Sequence, residues 1–182
     1  LGCREQIQYH GPSDETSFRV TLADTGLESM TGARIKRAMK YVDDDTFMVT
    51  YGDGLSNVNI DALLAFHRAH GRLATMTTVR PVSRYGVLQL EGDGRVNGFN
   101  EKPQLDGWVN AGFFVFDQRV DDYFDADPGC VLEQGPLRRL AHEGQLMAYR
   151  HEGFFFAMDT FREFKTLNEL WDSGQSPWKV WA

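Results

Sequence analysis

The chain has 182 residues, 42% of them hydrophobic, which is enough for one globular domain with a substantial core and no stretch whose composition points to disorder. A formal net charge of -7 excludes binding to the phosphate backbone of nucleic acid, which needs clustered Lys and Arg. No apolar run approaches the roughly 20 residues that cross a bilayer, no secretion pattern opens the chain, and Cys3 and Cys130 lack the spacing of a zinc site or disulfide framework, so a reducing cytoplasm is expected.

In chain order, the opening stretch from Leu1 to Thr16 is polar and starts without methionine, which reads as the inside of a longer protein. Phe18 to Ala23 alternates apolar with smaller or polar residues and predicts a strand. Thr31 to Val42 predicts a helix, with Ile35, Met39 and Val42 on one face and Arg34, Lys36, Arg37 and Lys40 elsewhere. The nearly continuous apolar and β-branched run from Thr46 to Tyr51 predicts a central strand covered on both faces, leading to Asp53. Ile60 to Gly71 predicts a helix closed by Gly71, and Arg72 to Val79 the next strand, so that strand, helix and strand make a parallel crossover.

Beyond Pro81, two short runs around Gly92-Asp93-Gly94 predict a hairpin. Gly107 to Asp117 predicts a further buried strand, Asp121 to Asp127 a short helix, and Cys130 to Gly144 a helix or one broken around Pro136. Gln145 to Asp159 supplies one or two strands, and Thr160 to Gly174 a closing amphipathic helix. This alternation predicts a layered α/β fold forming a single domain over 1–182, without internal repeats.

In an open α/β sheet, ligands gather beyond the carboxyl ends of the parallel strands. Asp53 stands at such an end between Gly52 and Gly54, where a phosphate ester could approach the backbone and a carboxylate could hold Mg²⁺; an Asp-Gly turn accounts for the same residues. Asp159 is a second acid at a strand–helix junction, although Thr160 with Glu163 forms a capping-box pattern there. Lys102, in "NEKP", offers a point charge for a phosphate or simply an exposed ion pair with Glu101. Thr31 and Gly32 open a helix, where unpaired N–H groups favour anions. His67 and His70 are three residues apart with no third ligand nearby, and His67 reads as packing at the core edge. The chain has no G-x-S-x-G element and no Ser-His-Asp pattern.

Seven stretches, "VTLADTGLESMTGARIKR", "TYGDGLSNVNID", "FHRAHG", "RYGVLQL", "FNEKP", "VNAGFFVF" and "MDT", resemble the sugar nucleotidyltransferases, and within them the glucose-1-phosphate cytidylyltransferase type, in the family's order from about Arg19 onward. The resemblance implies a three-layer, Rossmann-like α/β nucleotidyltransferase fold with a mostly parallel central sheet. It implies transfer of a cytidylyl group from CTP to glucose-1-phosphate, giving CDP-glucose and pyrophosphate, with Mg²⁺ as cofactor, in nucleotide-sugar biosynthesis of the kind that feeds lipopolysaccharide O-antigen. By resemblance Asp53 and Asp159 are metal ligands, Lys102 meets the sugar phosphate, and Glu101 accepts hydrogen bonds from sugar hydroxyls. Asn110, Gly112, Tyr85 and Gly86 line the hexose pocket, and Thr31 and Gly32 approach the nucleotide. Asn110-Ala111-Gly112 departs from the more usual Asn-Gly-Gly.

The family's first strand and its G-G-x-G-T-R loop have no counterpart in these residues. Loss of a strand from the middle of the sheet predicts exposed apolar edges and a homo-oligomer. A catalytically silent sugar-nucleotide binding module, or an enzyme for another nucleotide or hexose, are the alternatives.

Overall fold

The structure is a computed structural model that describes residues 19–181. Its centre is a four-stranded sheet in the order β1 (Thr46–Thr50), β6 (Val109–Asp117), β3 (Ala74–Val79), β7 (Leu146–Arg150). β6 is antiparallel to both β1 and β3, and β3 is parallel to β7. Three of the four strands therefore run the same way, as the crossover pattern predicts. The parallel strands β1 and β3 are not neighbours, however, because the reversed β6 lies between them. Two small antiparallel pairs complete the strands: β2 (Gly54–Ser56) with β8 (Phe155–Ala157), and the hairpin β4 (Val87–Leu90) with β5 (Val96–Asn100).

Alternation along β6 explains the layering. Phe114 and Phe116 face a core cluster with Met39, Val120, Phe124, Leu132, Leu137 and Leu140, whereas Val115 faces Val58 and Leu63 on the opposite side. On the first side stand α1 (Thr31–Ala38), extended by a 3-10 turn at Met39–Tyr41, and α3 (Pro136–His142); α2 (Ile60–His70) covers the second. Each fully buried Phe ring contributes on the order of 1.5–3 kcal/mol relative to exposure. α2 ends at Gly71, whose φ of 63° is left-handed as a terminating glycine requires. α4 (Phe161–Asp172) carries the capping box read in the sequence: the Thr160 hydroxyl accepts from the Glu163 N–H, and the Glu163 carboxylate accepts from the Thr160 N–H.

The strand expected over 18–23 is absent from 19–23, and Phe18 lies outside the described residues. Alternation alone does not make a strand. Val20 is 76% exposed and Leu22 94%, and no sheet edge among the described residues pairs with this segment. The short helix expected over 121–127 forms instead as a 3-10 segment, Gln118–Tyr123, capped by Asp117. The helix expected from Cys130 begins only at Pro136, a residue suited to the first helical turn because its missing N–H has no partner to lose there.

Candidate active site

A cleft of about 1250 Å³ opens between the loop after β3, the segment around Lys102, and the junction of β8 with α4. Tyr85, Lys102 and Asp159, all singled out in the sequence, are in its wall. Four cationic side chains, Arg80, Arg84, Lys102 and Arg162, face it with three carboxylates, Glu152, Asp159 and Glu163. In a chain of formal charge -7 this concentration of cations suits an anionic ligand. Trp108, also in the wall, lies against the guanidinium groups of Arg80 and Arg150, 5.7 and 5.5 Å from its ring centre.

Pairing of β2 with β8 brings the two sequence-distant acids together. Gly54 is opposite Ala157, and the ladder extends one step further because the Met158 N–H donates to the Asp53 carbonyl at 2.9 Å. Asp159 is the next residue, so Asp53 and Asp159 are one ladder step apart, with Cα atoms on the order of 6 Å from each other. Both are exposed, and Asp159 lines the cleft whereas Asp53 lies outside its wall. Among the described residues no set of three or more His, Cys, Asp or Glu side chains is gathered as a metal cage. Carboxylates are the oxygen donors Mg²⁺ takes when substrate phosphates and water complete its shell, so the donor type of Asp53 and Asp159 suits that ion.

Lys102 is the one non-glycine residue with positive φ among those described, at 46°, and it precedes Pro103. A residue before proline is steered toward extended backbone, so this conformation is held against its local preference. Residues kept in such conformations concentrate at functional sites. Gly86 presses against Phe99 and Glu101: a Cβ there would stand 2.5 Å from the Phe99 ring and 3.0 Å from a Glu101 carboxylate oxygen. Glu101 and Gly86 are thereby kept in contact across the base of the hairpin.

Asn110 and Gly112 sit in a bulge. Between Met76 opposite Phe114 and Thr78 opposite Asn110, β6 spends two residues more than β3. Gly112 takes φ of 76° there, and the Asn110 side-chain oxygen accepts its N–H at 2.8 Å. The Asn110 amide donates to the Tyr51 hydroxyl at 3.3 Å; Tyr51 is bonded to Glu133, and Glu133 accepts from the Thr31 hydroxyl at 3.2 Å. Burial, followed by the neighbouring Glu133 carboxylate, pushes the Tyr51 phenol far above its ordinary range, so it remains a neutral donor. This chain of contacts runs from the bulge to the start of α1. Ala111, where the family more often has glycine, is buried and finds room for its methyl group.

Neither Thr31 nor Gly32 lines that cleft: Gly32 is buried, and Thr31 is exposed with its hydroxyl turned to the 130–133 segment. The Thr31 hydroxyl accepts from the Leu132 N–H at 3.0 Å, the Ala33 N–H donates to the Cys130 carbonyl at 3.1 Å, and a Cβ on Gly32 would stand 2.6 Å from the Cys130 sulfur. The anion-seeking groups expected at this helix start are in part taken by the 130–132 segment. His67 and His70 share one partner, the Thr75 hydroxyl, at 2.8 and 2.7 Å, and His67 is only 4% exposed. Four contributors were not singled out in the sequence: Tyr51, Arg84, Trp108 and Glu133. Tyr51 and Arg84 adjoin quoted motif residues, which is the signal available for them. Glu133 and Trp108 acquire significance only from the partners folding brings to them.

Residues 11–132 match the nucleotidyl transferase family, and the chain belongs to it. It is 48% identical over 166 residues to proteins named glucose-1-phosphate cytidylyltransferase in Salmonella typhi and in Salmonella typhimurium (strain LT2), the alignments covering 90% of this chain and 64% of each relative. The chain thus spans about two thirds of the length of the curated relatives it matches. In fold it is similar to HddC from Yersinia pseudotuberculosis, with a TM-score of 0.52 at 21% identity, over 78% of this chain and 62% of that one. The mixed sheet with helices on both faces is of the Rossmann-like nucleotidyltransferase type. No helix among the described residues is long and apolar enough to cross a membrane.

Proposed function

We propose that this chain is the catalytic portion of a sugar-1-phosphate nucleotidyltransferase of the glucose-1-phosphate cytidylyltransferase type, acting in nucleotide-sugar biosynthesis, including supply to surface polysaccharides such as lipopolysaccharide O-antigen. The observation that carries this is the meeting of Asp53 and Asp159 through the β2–β8 ladder beside a cleft that also holds Lys102, supported by the identity to cytidylyltransferases over 90% of the chain. In the reaction a phosphate oxygen of glucose-1-phosphate attacks the α-phosphorus of CTP; the new P–O bond forms as the α–β anhydride bond breaks, giving CDP-glucose and pyrophosphate. No protein nucleophile is needed, only in-line positioning and neutralisation of crowded negative charge.

Lys102 supplies a point charge to the sugar phosphate, and Glu101 accepts from hexose hydroxyls. Tyr85, Gly86, Asn110 and Gly112 shape the sugar side, with Tyr51 and Glu133 bracing the bulge from behind. Thr31 and Gly32 act on the nucleotide side by positioning the 130–133 segment. Asp53 and Asp159 would hold a magnesium ion, which supplies further neutralisation of the phosphates. The compartment we assign is the cytoplasm, as the sequence reading expects. Exposed Leu88, Leu90, Val96 and Phe99 on the hairpin, together with the β1 edge, support a homo-oligomer.

The test is pyrophosphate release from CTP and glucose-1-phosphate with Mg²⁺, alongside calorimetry with CDP-glucose and parallel assays with UTP and dTTP. Enzymatic release with CTP is expected. Binding of CDP-glucose without release from any nucleotide would assign the chain instead to a silent binding module, and preference for UTP or dTTP to a related enzyme.

A further inference from the structure

Arg84 projects from the loop after β3, and its guanidinium Nη2 meets two carboxylates at the start of α4, Asp159 at 3.3 Å and Glu163 at 2.9 Å. These contacts are unequal. The Glu163 side chain is only 17% exposed, and its other oxygen is fixed by the N–H groups of Asp159 and Thr160 at 2.9 and 2.8 Å. The Asp159 carboxylate is 53% exposed and bonds Arg84 at the longer distance. One guanidinium therefore has a rigid anchor and a looser second partner, and the looser partner is the acid assigned above to a divalent cation.

We propose that Arg84 is the resting counter-ion of Asp159, a positioning residue that occupies the carboxylate until a divalent cation takes it and that stays on Glu163 when displaced. The inference rests on the assignment of Asp159 to a metal site. Two cations cannot both neutralise one carboxylate at full strength, so the guanidinium and the metal compete. Arg84 is always charged, which makes this competition insensitive to pH near neutrality. Anchorage on Glu163 also keeps the freed guanidinium beside Tyr85, in the wall of a cleft suited to phosphate esters, where a planar fork binds well.

The test is titration of the purified chain with Mn²⁺, free metal being counted by electron paramagnetic resonance, with no nucleotide or sugar present. Arg84→Gln is expected to tighten Mn²⁺ binding about two- to fivefold, the scale of an exposed ion pair, and the gain should shrink in high salt. Arg84→Lys, which keeps the charge, should stay near the parent value. A merely structural arginine predicts the opposite sign, because loosening the site would weaken the metal. Unchanged or weaker binding in Arg84→Gln, with its circular dichroism spectrum and melting point preserved, overturns the proposal. In an Asp159→Asn background the Arg84→Gln effect should vanish; persistence there also overturns it. If Asp53→Asn and Asp159→Asn each leave Mn²⁺ binding intact, the metal assignment itself fails. Loss of binding in those variants combined with no effect of Arg84→Gln removes only the role given to Arg84.

Discussion

Gly112→Ala tests the bulge to which the proposal gives the sugar side of the site. Two effects add at this position. Left-handed backbone costs an L-residue about 1–2 kcal/mol, offset by roughly 0.4–1 kcal/mol because alanine also restricts the unfolded chain. The new Cβ would also stand 2.5 Å from Tyr51 Cδ2 and 3.0 Å from Cγ, both atoms of a ring held between Asn110 and Glu133, and such overpacking costs about 1–3 kcal/mol. The total is about 2–4 kcal/mol. At 2–4 °C per kcal/mol for a domain of this size, the melting point should fall by roughly 5–15 °C. Gly71→Ala is the control: its φ is 63°, yet nothing lies within 4 Å of its Cβ, so it should lose only the backbone contribution, about 1 kcal/mol. Urea denaturation of both variants, monitored by circular dichroism, measures the difference. Equal losses would refute the argument that Tyr51 and Gly112 are packed too closely to admit a methyl group.

Lys102→Gly should relieve left-handed strain and raise stability by about 1 kcal/mol, whereas Lys102→Ala should not, and both should weaken glucose-1-phosphate binding in calorimetry. If glycine and alanine there give the same urea midpoint, the strain is not real. Burial holds His67 and His70 below the ordinary histidine range, His67 being lowered further by its neighbour His70 and His70 by Arg72, while Asp117 opposes the shift of His67. The unfolded chain then binds protons that the folded chain refuses, so stability should fall as pH drops below about 6.5, by up to about 1.4 kcal/mol per pH unit and per group until the folded form also titrates. Comparing urea midpoints at pH 8 and pH 5.5 with those of His67→Gln checks this; an unaltered difference in the variant would remove His67 from the explanation. Thr160→Ala should cost about 0.5–2 kcal/mol through loss of the α4 cap, read as a lowered melting point.

Local chemistry made much of this fold readable. Thr160 with Glu163 announces the start of α4, Gly71 the end of α2, and the glycines of 92–94 the hairpin, because each preference is satisfied within a few residues of chain. Arg19 to Ala23 shows the limit of that method: its alternation meets the local condition for a strand, but pairing depends on an edge supplied from elsewhere. The insertion of β6 between β1 and β3 was equally invisible, since strand order is set by tertiary packing. Of the candidate site, Asp53, Lys102 and Asp159 stand out in the sequence by position beside glycine, proline and a helix start. The Arg84 contact with Asp159 joins residues 75 apart and leaves no periodic trace.

The place of β6 governs the order in which the molecule can be assembled. Among the described residues, neither β1 nor β3 has a main-chain partner in the central sheet that precedes Val109–Asp117 in the sequence, so both of their long ladders wait for that strand to be made. Until then the two strands keep open hydrogen-bonding edges toward the place β6 will fill, a slow, non-local route that gives chaperones a window.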